Sequence, residues 1–340
     1  MGNLRDWLQL FRSHTSPLEM IIAVTGSALA VGTIWDIKVL LFMIFGWLYH
    51  NAGYGHNSAE DYIQGYDTED PNKAHHPLQR GAIDPRTARY ACIVMVVLTF
   101  VYGLFISGWD LTAMVLLAII TIAGALYNVA GKRMKGKFIP IAAAHSLLLP
   151  FAFFGSGGSF AILAEYPYFR ETTGAVMIIG TSYLVLQIIY QIMIEGDLKD
   201  IDMDEASFLR SLGARIDGGI FRASTLARGF SYMIKALSIG TLFWVLFLGR
   251  GGFLPYTVLS GLAVFMLIID DKLMGDRHWD HSDTLRSMAA MEVISTFALV
   301  TAIAPLIDGI FNASVIMVLS IGYFIVLNRY LWGTYLRPRV

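Results

Sequence analysis

Acidic side chains are grouped at two places in this chain, each at the end of a long apolar segment. The first group lies between Asn57 and Asp67, and the second lies between Asp197 and Asp204. Carboxylates beside lipid are energetically costly and are usually kept for function. Carboxylate oxygens also suit Mg²⁺, which proteins commonly hold with one or two carboxylates together with substrate phosphates. If both groups face the same side of a membrane, they predict a metal site for a diphosphate.

The second group has a spacing that is regular on a helix. Asp197, Asp200 and Asp204 are separated by three and then four residues, so an α-helix would present them on one face. Asp202 would point away from that face. A solvated acidic helix end would show the same residues without binding anything, and the spacing alone leaves this alternative open.

Composition indicates a membrane protein. Of the 340 residues, 56% are hydrophobic and 15% are charged, whereas soluble domains have about 25% charged residues. The net charge of -1 argues against a nucleic-acid-binding surface. A helix needs about 20 apolar residues to cross the hydrocarbon core of a bilayer. Stretches near that length run over 17–35, 37–55, 88–108, 111–129, 138–156, 173–195, 224–248, 253–270, 285–307 and 311–332.

These stretches predict an all-α fold, a polytopic transmembrane bundle of about nine or ten helices. We expect one integral-membrane domain that covers residues 1–340. Within it, residues 1–16 are expected to form an interfacial helix, because Leu4, Trp7 and Phe11 have helical spacing. Residues 311–332 are expected to add a helix at the C-terminal end.

Lysine and arginine are distributed unevenly between alternate connections. With the N-terminus placed inside, the outer connections carry only Lys38, Arg170 and Arg250, and Lys235 lies within a predicted span. Every other Lys and Arg is then on the inner side, as the positive-inside rule requires. We therefore expect a cytoplasmic N-terminus and active-site loops on the cytoplasmic side, including the basic loop at 132–137.

The second acidic group closely resembles a motif of the UbiA superfamily of intramembrane prenyltransferases. Asp197, Asp200 and Asp204 match the family's three aspartates, and Lys199 stands before the middle one, as in the family. The resemblance covers about residues 17–307, and the motifs occur in the family's order.

The first acidic group resembles the family's first motif in part. Asn57 and Asp61 match its opening asparagine and aspartate, and the run Asn72–Gly81, which contains Lys73, is similar to the stretch that follows. Tyr127 and Gly131–Gly136 resemble the family's tyrosine and the basic loop after its fourth helix.

Three departures from the family pattern stand in and after the first motif. Ser58 replaces an aspartate, Gly65 stands where a third aspartate is expected, and His76 replaces an arginine. The stretch from Asn57 to Asn72 is also longer than usual. The missing third aspartate then has three candidate replacements: Asp67, Glu69 and Asp70.

The resemblance implies transfer of a prenyl group from an isoprenoid diphosphate to a lipophilic or aromatic acceptor within the membrane. Mg²⁺ (or Mn²⁺) and cationic side chains would neutralise the departing diphosphate and leave an allylic carbocation. The implied catalytic and metal-binding residues are Asp61, Asp67, Asp197, Asp200 and Asp204. The implied substrate-binding residues are Asn57, Lys73, Tyr127, Lys132, Arg133 and Lys199.

Other functions stay open. A terpene cyclase or a phosphoribosyl-type transferase would use the same diphosphate site on the same fold. A secondary transporter would place acidic ion sites at the bilayer midplane, which the position of these carboxylates at helix ends disfavours. The loop Asp276–Asp283 has metal-ligating residue types, but we expect it to be a polar cap over the active site. The expected partners are a prenyl diphosphate donor, an acceptor that the sequence does not identify, and membrane lipid.

Overall fold

A computed structural model of the chain describes residues 2–68, 73–134, 136–159, 167–199, 201 and 207–335, with the backbone alone at 132 and 167–172. The described residues are mainly helical, which confirms the predicted all-α fold. The helices are α1 (Leu4–Leu10), α2 (Pro17–Val31), α3 (Ile37–Ile63), α4 (Pro85–Ile106), α5 (Leu111–Ala130), α6 (Phe138–Ser146), α7 (Leu148–Gly155), α8 (Pro167–Tyr190), α9 (Asp197–Lys199), α10 (Phe208–Ser211), α11 (Thr225–Leu248), α12 (Phe253–Met274), α13 (His281–Ile303) and α14 (Ile310–Trp332). The strands are β1 (Arg215–Asp217), β2 (Ile220–Arg222) and β3 (Arg277–His278).

Among the described residues, eight helical segments are long and apolar enough to cross a membrane. They coincide with the stretches predicted from 88–108 onward. The two earlier predicted spans, α2 and α3, lie outside this set. With 15 residues, α2 is only about 22 Å long, whereas α3 has 27 residues but a polar second half. The eight segments indicate an integral, multi-pass membrane protein.

The chain forms two compact units, of which the first comprises residues 1–161 and 314–340. Glycines allow its helices to approach closely. A methyl group on Gly26 of α2 would lie 2.2 Å from the carbonyl oxygen of Leu149 in α7, and one on Gly46 of α3 would lie 2.6 Å from that of Glu19 in α2. Small residues at such contacts are typical of packed membrane helices, so α2 lies tightly between α3 and α7.

The N-terminal segment packs against the end of α14 within this unit. A capping box between Asn3 and Asp6 begins α1. The side chains of Arg5 and Gln9 each donate a hydrogen bond of 2.7 Å to the main-chain oxygen of Leu331. This oxygen belongs to the last turn of α14, where carbonyl groups lack partners inside the helix. The first and last helices are therefore joined by polar contacts as well as by packing.

The second unit comprises residues 162–313. In it α11 packs against α8, α12 and α13, and α12 packs against α13. The three strands form an antiparallel sheet in the order β1-β2-β3, with Arg215 opposite Arg222 and Phe221 opposite Arg277. The sequence analysis did not predict this sheet. Its signal was the pair Gly218-Gly219, whose positive φ angles of 57° and 78° suit a two-residue hairpin turn.

Candidate active site

The first acidic motif occupies the last two turns of α3. Asn57 and Asp61 are one helical turn apart, and the Asn57 amide donates a 3.1 Å hydrogen bond to Oδ2 of Asp61. Side chains four residues apart share a helix face, so this contact follows from the local sequence. Asp61 is buried. The hydrogen bond thus holds a buried carboxylate in one orientation at the end of a long helix.

After α3, the chain turns and presents a second carboxylate. Gly65 has a φ of 88°, a left-handed conformation that strains residues with a side chain. This explains why an aspartate is absent at a position where the family pattern expects one. Asp67 follows, and its Oδ1 accepts a 2.6 Å hydrogen bond from Nζ of Lys73. Gln79 also donates to the main-chain oxygen of Asp67, at 2.6 Å.

Of the three candidate replacements for the missing aspartate, the structure describes Asp67 alone. It places Asp67 in a buried position next to a cation. Glu69, Asp70 and Asn72 lie outside the described residues.

Glu60, next to Asp61 in sequence, faces different partners. Its Oε1 lies 2.6 Å from Nε of Arg89 in α4 and 3.4 Å from Nε2 of His56. The amide of Asn128 in α5 lies 3.3 Å from Nδ1 of the same histidine. This network joins α3, α4 and α5. The sequence does not reveal this network, because Glu60 fits no motif and Arg89 and Asn128 are distant from it in the chain.

His76, which replaces a family arginine, does not supply the missing charge. It lies outside the predicted spans and is buried. Burial and the nearby charge of Arg12 lower its pKa to about 3. The imidazole is therefore neutral at physiological pH. The neighbouring Arg80 carries a charge, but its guanidinium contacts Asp6 and Gln9.

The second acidic motif begins directly after an irregular part of a membrane helix. Between α8 and α9 the residues Gln191–Gly196 form a π-helical turn, a feature that is frequent at functional sites. Asp197 begins α9 and is buried, and its Oδ2 accepts a 3.1 Å hydrogen bond from the backbone N–H of Leu209. Lys199 ends α9, and Ile201 lies in a turn.

The structure describes only part of the second motif. Asp200, Asp202 and Asp204 lie outside the described residues. The described α-helix covers Asp197 to Lys199. The assignment of Asp200 and Asp204 to the same face as Asp197 stays a prediction.

The basic loop follows the C-terminal end of α5. Tyr127 lies in the last turn of α5, and a methyl group on Gly131 would lie 3.0 Å from its ring. Arg133 ends a short 3₁₀ turn and is exposed. The Lys132 side chain and Lys135 lie outside the described part of the chain. Of the predicted substrate-binding residues in this segment, Tyr127 and Arg133 are described, and both belong to the first unit. The same unit contains Asn57, Asp61, Asp67 and Lys73.

About two turns before the first motif, His50 of α3 contacts a buried carboxylate that a second histidine also contacts. Glu19 of α2 accepts a 2.7 Å contact from Nδ1 of His50, and its other oxygen lies 3.1 Å from Nδ1 of His145 in α6. His50 also stacks on Tyr54, with ring centroids 4.3 Å apart. These contacts join α2, α3 and α6, which are distant in the chain, so the sequence alone does not reveal them. A carboxylate in an otherwise apolar helix was the available signal.

In the loop Asp276–Asp283, two acidic residues have structural roles. Asp280 caps α13 by accepting a 3.1 Å hydrogen bond from the N–H of Asp283, whose side chain in turn pairs with Lys272 at 3.0 Å. Among the described residues, no group of three or more His, Cys, Asp or Glu side chains is placed to hold a metal ion.

Lys235, the lysine within a predicted span, is fully buried in the second unit. Its Nζ lies 3.2 Å from Oε1 of Gln187 and 3.5 Å from the ring centre of Tyr190. The Tyr190 hydroxyl donates a 2.7 Å hydrogen bond to Asp270. Lys235 thus lies against one face of the Tyr190 ring.

Comparison with known proteins identifies the family to which the chain belongs. The model of the UbiA prenyltransferase family matches residues 20–291, and the chain belongs to this family. The resemblance predicted from the motifs is therefore confirmed.

Relatives and solved structures of this family match different shares of the chain. A digeranylgeranylglyceryl phosphate synthase of Pyrococcus furiosus is 30% identical over an alignment of 137 residues. The alignment covers 35% of this chain and 48% of that protein. One of Thermococcus gammatolerans is 32% identical over 105 residues, 31% of this chain and 37% of that protein. The match thus spans about half or less of the length of these relatives.

The solved structures share the fold over most of the chain. A structure that concerns a digeranylgeranylglyceryl phosphate synthase in membranes covers 90% of this chain and 99% of its own, with a TM-score of 0.61 and 17% identity. A UbiA homologue of Archaeoglobus fulgidus bound to GPP and Mg²⁺ covers 88% and 99%, with a TM-score of 0.58 and 17% identity.

Proposed function

We propose that this protein transfers the prenyl group of an isoprenoid diphosphate to a lipophilic acceptor in the membrane, in a reaction that requires Mg²⁺ or Mn²⁺. The observation that carries the proposal is the pair of buried carboxylates at the end of α3, Asp61 and Asp67, with Lys73 beside the second. Membership of the UbiA prenyltransferase family supports it.

The described donor atoms fit a hard divalent cation. Asp61 and Asp67 offer carboxylate oxygens, which Mg²⁺ prefers, and Asn57 orients one of them. We propose that Asp61, Asp67, Asp197, Asp200 and Asp204 are metal ligands. When bound, Mg²⁺ would offset the charge that develops on the departing diphosphate.

The cationic side chains of the chain would bind the diphosphate directly. In this proposal Lys73, Lys132, Arg133 and Lys199 donate charge-assisted hydrogen bonds to its oxygens, which are roughly twice as strong as neutral ones. The bond between the allylic carbon and the diphosphate oxygen breaks, and its electron pair leaves with the diphosphate. A nucleophilic atom of the acceptor then bonds to that carbon and loses a proton. The face of the Tyr127 ring is suited to stabilise the intervening carbocation.

A glyceryl phosphate lipid is the acceptor class that the relatives suggest, since two of them are digeranylgeranylglyceryl phosphate synthases. Quinone precursors and other aromatic acceptors are the competing class. We further propose that the reaction takes place on the cytoplasmic side, because the positive-inside rule predicts this side for the segments that carry the acidic motifs and the basic loop.

Turnover of purified full-length protein tests the proposal. Reactions would contain Mg²⁺, a panel of prenyl diphosphates and either a glyceryl phosphate lipid or an aromatic acceptor, and diphosphate release and product mass would be measured. We expect Asp61→Asn and Asp197→Asn each to lower turnover by about 10²-fold or more, as loss of a key electrostatic group does. Asp110→Asn is the matched control, because asparagine caps a helix as well as aspartate does and Asp110 caps α5 at the end opposite Tyr127 and the basic loop.

Three results would refute the proposal. Full turnover in excess EDTA would exclude the metal. A cyclised hydrocarbon without acceptor incorporation would indicate a terpene cyclase. Unchanged turnover in both motif variants, with the control also active, would show that these two carboxylates take no part in the reaction.

A further inference from the structure

A cavity of about 640 Å³ opens between the hairpin of β1 and β2 and the start of α11 in the second unit. It belongs to neither acidic motif, and its lining is fully described. Three arginines reach it from three different elements: Arg215 of β1, Arg222 of β2 and Arg228 of α11. A volume of this size is typical of small-molecule sites.

The arrangement of two of these arginines is unfavourable without an anion. Arg215 and Arg222 stand directly opposite each other in the hairpin, where like charges destabilise a strand pair. Both nevertheless line the same cavity. Asp217 pairs with Arg215 at 2.5 Å, and Asp276 pairs with Arg228. Arg222 has no carboxylate partner among the described residues, so the cavity keeps a net positive charge.

The start of α11 adds to this positive character. Ser224 is its N-cap and, with Thr225, lines the cavity. Ser224 Oγ already accepts a hydrogen bond from the N–H of Ala227. The other N–H groups of the first turn of a helix lack partners within it and favour phosphate groups. Gly213 and Gly229 leave backbone accessible in the wall of the cavity. Arginine forks and helix-start N–H groups are the donors that bind a phosphate in several directions at once.

The position of the cavity points to a lipid. It lies at the beginning of the candidate span Thr225–Leu248 and beside the loop that follows the span Phe253–Met274. From Leu226 an apolar stripe descends along α11 at helical spacing. Its members are Leu226, Met233, Leu237 and Trp244, which are 65%, 50%, 51% and 57% exposed. Thr225 and Gly229, which line the cavity, lie next to the first residue of this stripe at the N-terminal end of α11.

We propose that this cavity binds the phosphate-bearing headgroup of an anionic lipid, whose acyl chain lies along the exposed stripe of α11. Arg215, Arg222 and Arg228 hold the phosphate. The site shares no residue with the proposed diphosphate site, and the proposal does not depend on the proposed transferase activity.

Binding of a short-chain lipid tests the proposal. The purified full-length protein would be titrated in detergent with dihexanoyl phosphatidic acid, with EDTA present and without a prenyl diphosphate, and the dissociation constant measured by calorimetry. We expect Arg222→Gln to weaken binding about tenfold and the Arg215→Gln/Arg222→Gln pair about a hundredfold, since each charge-assisted contact contributes roughly a factor of ten. Arg222→Lys should retain most of the affinity, and dihexanoyl phosphatidylcholine should bind much more weakly.

The matched control is Arg286→Gln, which removes an exposed arginine of the same unit outside the cavity. Melting temperatures of all variants would verify that they fold. Affinity within twofold of wild type in the double variant, or equal weakening by Arg286→Gln, would overturn the proposal. Inorganic phosphate that binds as tightly as the lipid would show that the site takes free phosphate, and would overturn the assignment to lipid.

Discussion

The contact between Asp67 and Lys73 allows the catalytic and structural roles of a carboxylate to be separated. Three variants are needed: Lys73→Met, Asp67→Asn and the double variant. The side chains are 16% and 9% exposed, and their charged atoms lie 2.6 Å apart. Removal of one partner from a buried ion pair costs about 3–5 kcal/mol, whereas replacement of both by neutral groups is nearly neutral.

The expected effects on stability follow from these exposures. Lys73→Met leaves the Asp67 carboxylate buried without its cation, so the folded state should lose about 3 kcal/mol, the lower end of the range because some solvent reaches the site. The double variant should recover most of this loss. Thermal unfolding in detergent, followed by the fluorescence of the 7 tryptophans, would measure the difference.

Turnover should follow a different order. If Asp67 holds the metal, Asp67→Asn and the double variant should both lose about 10²-fold in turnover or more, although the double variant is stable. A stable double variant with wild-type turnover would refute the metal role of Asp67. If Asp67→Asn is active while Asp70→Asn is inactive, Asp70 completes the motif. An unchanged melting temperature in Lys73→Met would refute the buried ion pair itself.

Three other properties can be predicted. The pKa of His76 is lowered to about 3, whereas that of an unfolded histidine is about 6.5, so the unfolded chain alone takes up this proton as the pH falls between these values. His76→Gln should therefore flatten the decrease in the free energy of unfolding between pH 6.5 and pH 3 by up to about 1.4 kcal/mol per pH unit, which denaturation across this pH range would measure. Gly26→Ala should destabilise the protein by about 1–3 kcal/mol through overpacking against α7, whereas Gly240→Ala, which meets nothing within 4 Å, should not; equal melting temperatures would contradict the close contact. Trp109→Cys, at an exposed position between α4 and α5, should react with an impermeant thiol reagent only from outside the cell, and labelling from the cytoplasm would overturn the predicted topology.

The sequence carried enough information to predict the membrane class, the helical fold and the family. Apolar length is a one-dimensional property, and the bilayer requires helices for stretches of about 20 residues. Short motifs also keep their spacing in sequence, so Asn57, Asp61 and Asp197 were identified without any structure. Asn57 and Asp61 form their hydrogen bond because the contact lies within one helical turn.

Features that depend on residues distant in the chain were not predicted. The networks around Glu19 and Glu60 each join side chains of three helices. No local pattern specifies which helix faces meet, since this depends on close contacts such as Gly26 against Leu149. The sheet was missed for a related reason, because strands of two or three residues are too short to show a period.

The charge state of buried groups was also decided by tertiary structure. From the sequence, His76 could have replaced the cationic role of the family's arginine. Its burial makes the charged form unfavourable, so that role is unfilled at this position. Likewise, Arg215 and Arg222 are two ordinary cations in the sequence, and only the hairpin places them opposite each other on one cavity. Amino-acid type determined which chemistry was available, and the solvent exposure and partners that the fold imposes determined which of it each side chain retains.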